Sequence, residues 1–268
     1  MNPTQNRVRV RRDRPSALAW AIALAVTMLA VYLVTLSAPA SRKVEDASTD
    51  LRVTRELTFD GRSVSFADLG CYPDEWQARV AAAGCAGRGA AGVVYADSDG
   101  FHVLGAGYDL EADAKRIAER LADREGMEAA VLTLSGPAVS MRVTAPESDV
   151  EAIAEADLTL RTQLRQLATL ALQVDRGEGS AASARTLARV AASEVRSARK
   201  RLQKIRGGEE QPVCTSLIAQ LTALEANLAA AAKTTGDGAE LSGRLRCCHV
   251  DGCLRLIDFL NHPGGSGV

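Results

Sequence analysis

The spacing of apolar and polar positions changes once along this chain, near Pro146, separating a strand-bearing part from a helical part. Phe101, Val103 and Gly105 alternate with His102 and Leu104, a two-residue period that predicts a strand with one buried face. Leu110, Ala114, Ile117, Ala118 and Leu121 then recur at helical spacing, with Lys115, Arg116, Glu119, Arg120 and Asp123 on the other side. Asp109 is placed to cap this helix, Glu111 to meet its exposed N–H groups, and Gly126 to end it. Alternation resumes over residues 130–134.

A weaker copy of the same unit lies upstream. Val64 and Phe66 share one face of a strand over residues 63–69. Pro73 opens a helix with Trp76, Val80 and Ala83 as its stripe and Gly84 at its end, and Val93, Val94 and Tyr95 form the next strand. The turn Asp97-Ser98-Asp99-Gly100 joins the halves. Residues 62–135 therefore predict strand–helix–strand twice: a four-stranded antiparallel sheet with two helices on one face and the other face open. Residues 138–144 alternate again and are expected to extend that sheet as an edge strand.

Beyond Pro146 the period is helical. Val150, Ile153, Leu160, Leu164, Leu167, Leu170 and Val174 mark one helix; Leu187, Val190, Ala191, Ala198, Leu202 and Ile205 mark a second. Pro212 opens a third with Leu217, Ile218, Leu221, Leu224 and Leu228, and a fourth carries Leu241, Leu245, Leu254, Ile257 and Leu260. Glycine pairs separate the four, and such short connections favour a four-helix bundle.

Residues 17–36 contain no charge, proline or glycine. At about 1.5 Å per residue they cover roughly 30 Å, the thickness of a bilayer's hydrocarbon. Five arginines in residues 1–14 favour a cytoplasmic N-terminus with the bulk of the chain outside. A cleaved signal peptide is the alternative, since Ala38-Pro39-Ala40 resembles a cleavage site; the apolar run exceeds the usual h-region. The expected organisation is a basic tail (1–14), a transmembrane helix (15–37), a stalk (38–61), an α+β domain (62–145), a helical bundle (146–262) and a flexible tail (263–268).

The formal charge over 268 residues is −1. With the N-terminal arginines set aside the remainder is mildly acidic, so no nucleic-acid face is expected. The stretch Phe101-His102-Val103-Leu104-Gly105-Ala106-Gly107-Tyr108, with Ala114, Ile117, Ala118, Leu121 and the Val131 strand, resembles the SPOR (sporulation-related repeat) family. A βαββαβ order behind a short basic tail, one anchor and a stalk is similar to that family too. The resemblance covers about residues 62–135 and implies an α+β, ferredoxin-like fold that binds peptidoglycan glycan strands across its open sheet face, at division or sporulation sites. If Val64, Phe66, Phe101 and Val103 face the helices, the open face shows Ser63, Ser65, His102 and Leu104, which become the candidate glycan-binding residues. Ser65 stands where the family often carries glutamine, and the face has no aromatic platform. A second expectation follows: a non-catalytic scaffold whose bundle docks on another envelope protein, its SPOR-like domain having lost glycan binding.

Catalytic chemistry is not expected. His102, His249 and His262 are the only histidines, none in a hydrolase context, and Gly87, Gly89 and Gly92 lack the strand and helix of a phosphate loop. Cys247-Cys248-His249 and Cys253 carry metal-ligating atoms without a CxxC pair; buried cysteines and a surface or capping His249 are the reading, with no metal and no cofactor. Six cysteines in an external protein invite disulfides, but their connectivity stays open. The basic run between Arg196 and Arg206 reads as a solvated helix face.

Overall fold

A computed structural model describes residues 51–125 and 128–263. The basic tail, the transmembrane helix, most of the stalk, Gly126 and residues 264–268 lie outside the described residues. The described part is mixed α+β and mostly helical, with two small sheets.

Strand β1 (Arg52–Phe59) opens it and pairs antiparallel with β6 (Val139–Pro146) along the whole length of both. Two expectations are corrected here. The stalk ends before Arg52 rather than at residue 61, and β6 joins β1 in a separate ribbon instead of extending the larger sheet. The reason is local: polar β1 offers Leu57 and Phe59 to the interior, while Thr54 and Thr58 hydrogen-bond to Thr144 and Ser140 on the wet face.

Between the ribbon strands run β2 (Arg62–Tyr72), α1 (Glu75–Ala86), β3 (Val93–Ala96), β4 (Phe101–Tyr108), α2 (Glu111–Glu125) and β5 (Ala130–Gly136). The four strands stand in the order β3-β4-β2-β5, every pair antiparallel, which is a split βαβ arrangement used twice. Asp74 caps α1, accepting from the Gln77 N–H at 2.8 Å. Asp109 does not take the expected capping role; its carboxylate accepts from Arg62 Nη2 at 2.6 Å, and the Leu110 carbonyl receives the first helical N–H groups of α2.

Both helices meet the sheet through small residues. Ala78, Ala82 and Cys85 are the buried side chains of α1, while Trp76 and Val80, the expected stripe, stand 73% and 55% exposed. A side chain on Gly92 (φ +61°) would come within 2.6 Å of the Ala82 carbonyl, so the spacing between α1 and the chain beside it leaves room for alanine and no more.

Four long helices follow: α3 (Glu147–Asp175), α4 (Ala181–Leu202), α5 (Pro212–Lys233) and α6 (Gly238–Asn261). On α3, α5 and α6 most of the predicted apolar positions are buried. On α4 the expected Ala191, Ala198 and Leu202 are buried together with Ala184, Ala188, Ala192 and Val195, while the expected Leu187 and Val190 are about half exposed. The basic face of α4 is partly tied to its neighbours: Arg196 and Arg199 both reach Glu225 of α5. Helix α5 is the one described helix long and apolar enough to cross a membrane, and its leucines are buried among the other helices.

Helix α6 belongs to the bundle and to the sheet at once. It touches all four strands from the side opposite α1 and α2. Phe59, Val64, Phe66 and Leu104 join Leu245, Leu256, Ile257, Phe259 and Leu260 in one buried cluster with α3, α4 and α5. Each such side chain contributes about 1.5–3 kcal/mol by leaving water. The rings of Phe59 and Phe259 meet edge to face, 5.3 Å between centroids. Val103, Ala78 and Ala82 form a smaller cluster on the other side of the sheet. The face expected to be open is therefore covered by α6.

Candidate functional site

The four residues expected on one bare face do not share it. Val64 and Phe66 point at α6, so Ser63 and Ser65 alternate onto the side of α1 and α2. Ser65 is 3% exposed and bonds Thr133 of β5 at 2.8 Å; Ser63 lies opposite Ser135 at the exposed end of the same pair. On β4 the parity is reversed: Val103 packs toward α1, and His102 and Leu104 turn toward α6. Leu104 is fully buried and His102 is 8% exposed. That common face is corrected on both counts, its membership and its access to solvent.

His102 is held by two carboxylates. Its Nδ1 lies 2.7 Å from Asp68 Oδ2 and its Nε2 lies 3.2 Å from Asp97 Oδ1. Burial pushes its pKa down, but the hydrogen bond and charge of Asp68, then those of Asp97, outweigh this and raise it. Asp97 accepts the backbone N–H groups of Asp99 and Gly100, which, with His102, hold its carboxyl below the usual range. Once protonated, with both ring nitrogens donating to carboxylates, His102 has no free nitrogen to act as a base.

His249 is a correction of a different kind. Expected at the surface or a helix end, it is 3% exposed, with burial pushing its pKa down to about 4. Its Nε2 lies 3.4 Å from the Cys253 sulfur. Burial pushes the Cys253 thiol up to about 12, so the pair is a neutral imidazole beside a neutral thiol, the reverse of an activated nucleophile. Cys248 is pushed up to about 12 by the same cause. All six cysteines are free thiols. Among the described residues no three metal-ligating side chains converge.

One feature escaped the sequence reading. A cleft of about 320 Å³ opens between α1 and α2, floored by Ala67, Leu69 and Gly105 of the sheet. Its rim carries Arg88, from the loop after α1, Arg120 of α2 and Arg246 of α6. Arg246 donates to the Gly89 carbonyl and pairs with Asp175, which ties the rim to the bundle. A second cavity of about 250 Å³ adjoins it, sharing Ala106, Tyr108 and Arg246. Burial raises the Tyr108 pKa, so its phenol stays protonated. The arginines come from segments far apart in the chain, and no local motif announces them.

No protein-family model matches this chain, and no curated protein or solved structure matches it either.

Proposed function

We propose that this chain is a non-catalytic scaffold of the cell envelope, built on a SPOR-like module that has lost glycan binding. In this reading residues 15–37 anchor it in the membrane with the N-terminus in the cytoplasm. The extracytoplasmic part acts at division or sporulation sites by docking on another envelope protein. The observation that carries the proposal is the position of α6 against all four strands, with Phe66 and Leu104 buried beneath it. A glycan strand laid across that face would have to displace a helix burying Leu256, Ile257, Phe259 and Leu260. The pairing of His102 with two carboxylates and the neutral, buried His249–Cys253 pair support a non-catalytic role. The outer face of α4, with Leu187 and Val190 about half exposed, is the natural docking surface of the bundle.

Two measurements test it on the full-length chain. Sedimentation with peptidoglycan sacculi, intact or stripped of stem peptides, is expected to leave the protein in the supernatant; retention on stripped sacculi overturns the loss of glycan binding. Leu187→Glu with Val190→Glu is expected to disperse a fluorescent fusion from its membrane sites without lowering its melting temperature. An unchanged distribution removes the docking role.

A further inference from the structure

We propose that the cleft between α1 and α2 binds a small organic oxyanion, a carboxylate or phosphate head on a short apolar body. This goes beyond the scaffold reading and does not depend on it. Three guanidinium groups, those of Arg88, Arg120 and Arg246, are among the side chains that line the cleft. Arginine suits oxyanions because its planar fork donates two parallel hydrogen bonds. Arg246 is held in place by Gly89 and Asp175 before any ligand arrives, which limits the entropy lost on binding. The Arg120 side chain is exposed at the opposite wall. The protonated Tyr108 hydroxyl adds a neutral donor where the two cavities meet.

The floor selects for an apolar body. Ala67, Leu69, Gly105, Ile117 and Leu121 leave it without a side-chain donor or acceptor. Gly105 keeps the floor open: a Cβ there would come within 2.8 Å of Leu69 Cδ1 and narrow the space. At about 320 Å³ the cavity sits at the small end of ligand sites, which run from about 300 to 1,000 Å³. Its walls are firm, since the loop after α1 lies so close to α6 that a side chain on Gly243 would come within 2.9 Å of the Ala90 carbonyl.

The test is ligand-observed saturation-transfer NMR on the full-length chain with butyrate, butyl phosphate, inorganic phosphate and n-butanol. Butyrate or butyl phosphate is expected to saturate and to shift the Tyr108 ring signals, and whichever binds more tightly identifies the head group. Inorganic phosphate is expected to bind more weakly than butyl phosphate, and n-butanol not at all. Arg88→Gln with Arg120→Gln should weaken binding at least about tenfold, the loss of charge-assisted hydrogen bonds, at unchanged melting temperature. Arg189→Gln with Lys200→Gln removes the same charge on α4 and should change nothing. Saturation by n-butanol equal to that of butyrate, equal binding of the two phosphates, equal weakening by both double variants, or no saturation by any probe at millimolar concentration overturns the proposal.

Discussion

His102 and Asp68 meet diagonally across the irregular β2–β4 pair, with Nδ1 2.7 Å from Oδ2 and both side chains withdrawn from solvent. His102 lies opposite Tyr95 of β3, which packs on the shared core. Because the folded state raises the His102 pKa above its unfolded value of about 6.5, folding takes up a proton. That stabilisation is fully present below pH of about 6.5 and is lost as pH rises through the folded pKa. His102→Gln should therefore lower the melting temperature most near pH of about 6 and least near about 9. A difference between variant and parent that stays constant across that range would contradict the raised His102 pKa.

His249 has the opposite sign. Its folded pKa of about 4 lies below the unfolded value, so the unfolded chain binds the extra proton and stability falls as pH drops between the two. The difference corresponds to a loss on the order of 3 kcal/mol by the time the lower value is passed. His249→Gln should flatten the acid limb of the stability curve, measured by denaturant unfolding from neutral pH to about pH 4. An acid limb as steep as that of the parent would place His249 in contact with water.

Sheet and bundle should unfold together. Phe66 is fully buried in the cluster that also holds Leu260 and Ile257, so Phe66→Ala should cost about 3–5 kcal/mol and lower the loss of helical circular dichroism and of near-ultraviolet tertiary signal by the same number of degrees. Gly136→Ala should act in the same direction, because its Cβ would come within 2.6 Å of the Leu260 Cβ. Two separate transitions, only one of them moved by Phe66→Ala, would show that α6 does not join the two parts.

Thiol chemistry gives an independent readout. Cys71 is exposed on β2, whereas burial pushes Cys248 and Cys253 up to about 12. Brief alkylation at neutral pH, read by mass spectrometry, should modify Cys71 in the native protein and reach Cys248 and Cys253 only after denaturation. Comparable rates at all three would contradict the burial of the α6 face.

Much of this architecture was legible in the spacing of residues. Leucines on α3, α5 and α6 marked their buried faces, and Pro212 marked the start of α5. The two strand–helix–strand units and their antiparallel pairing followed from alternation and the turn at Asp97. What misled was chemistry that looks the same in two settings. On α1 and α4 the close contacts are made by alanine, so Trp76, Leu187 and Val190, which carry more apolar area, drew attention to the exposed face. On β4 every residue from His102 to Gly107 is buried, because helices lie on both sides; the clue was a nearly continuous apolar run rather than an alternating one. His249 could not be placed from its type, since a neutral buried imidazole and a solvated one read alike in a sequence. The arginine cleft depends on α6 crossing the sheet, a long-range contact that no local pattern records.

The contact between Gly107 and His249 reports most directly on whether α6 covers the sheet. A side chain built on Gly107 would come within 3.3 Å of His249 Cε1, so the glycine α protons lie against that ring. In a nuclear Overhauser spectrum of the full-length protein, a cross-peak between the Gly107 α protons and the His249 ring proton at Cε1 is expected. A His249 ring that shows cross-peaks only to its own helix, with a Gly107 amide exchanging as fast as a solvent-exposed one, would contradict the covered face and the scaffold role derived from it.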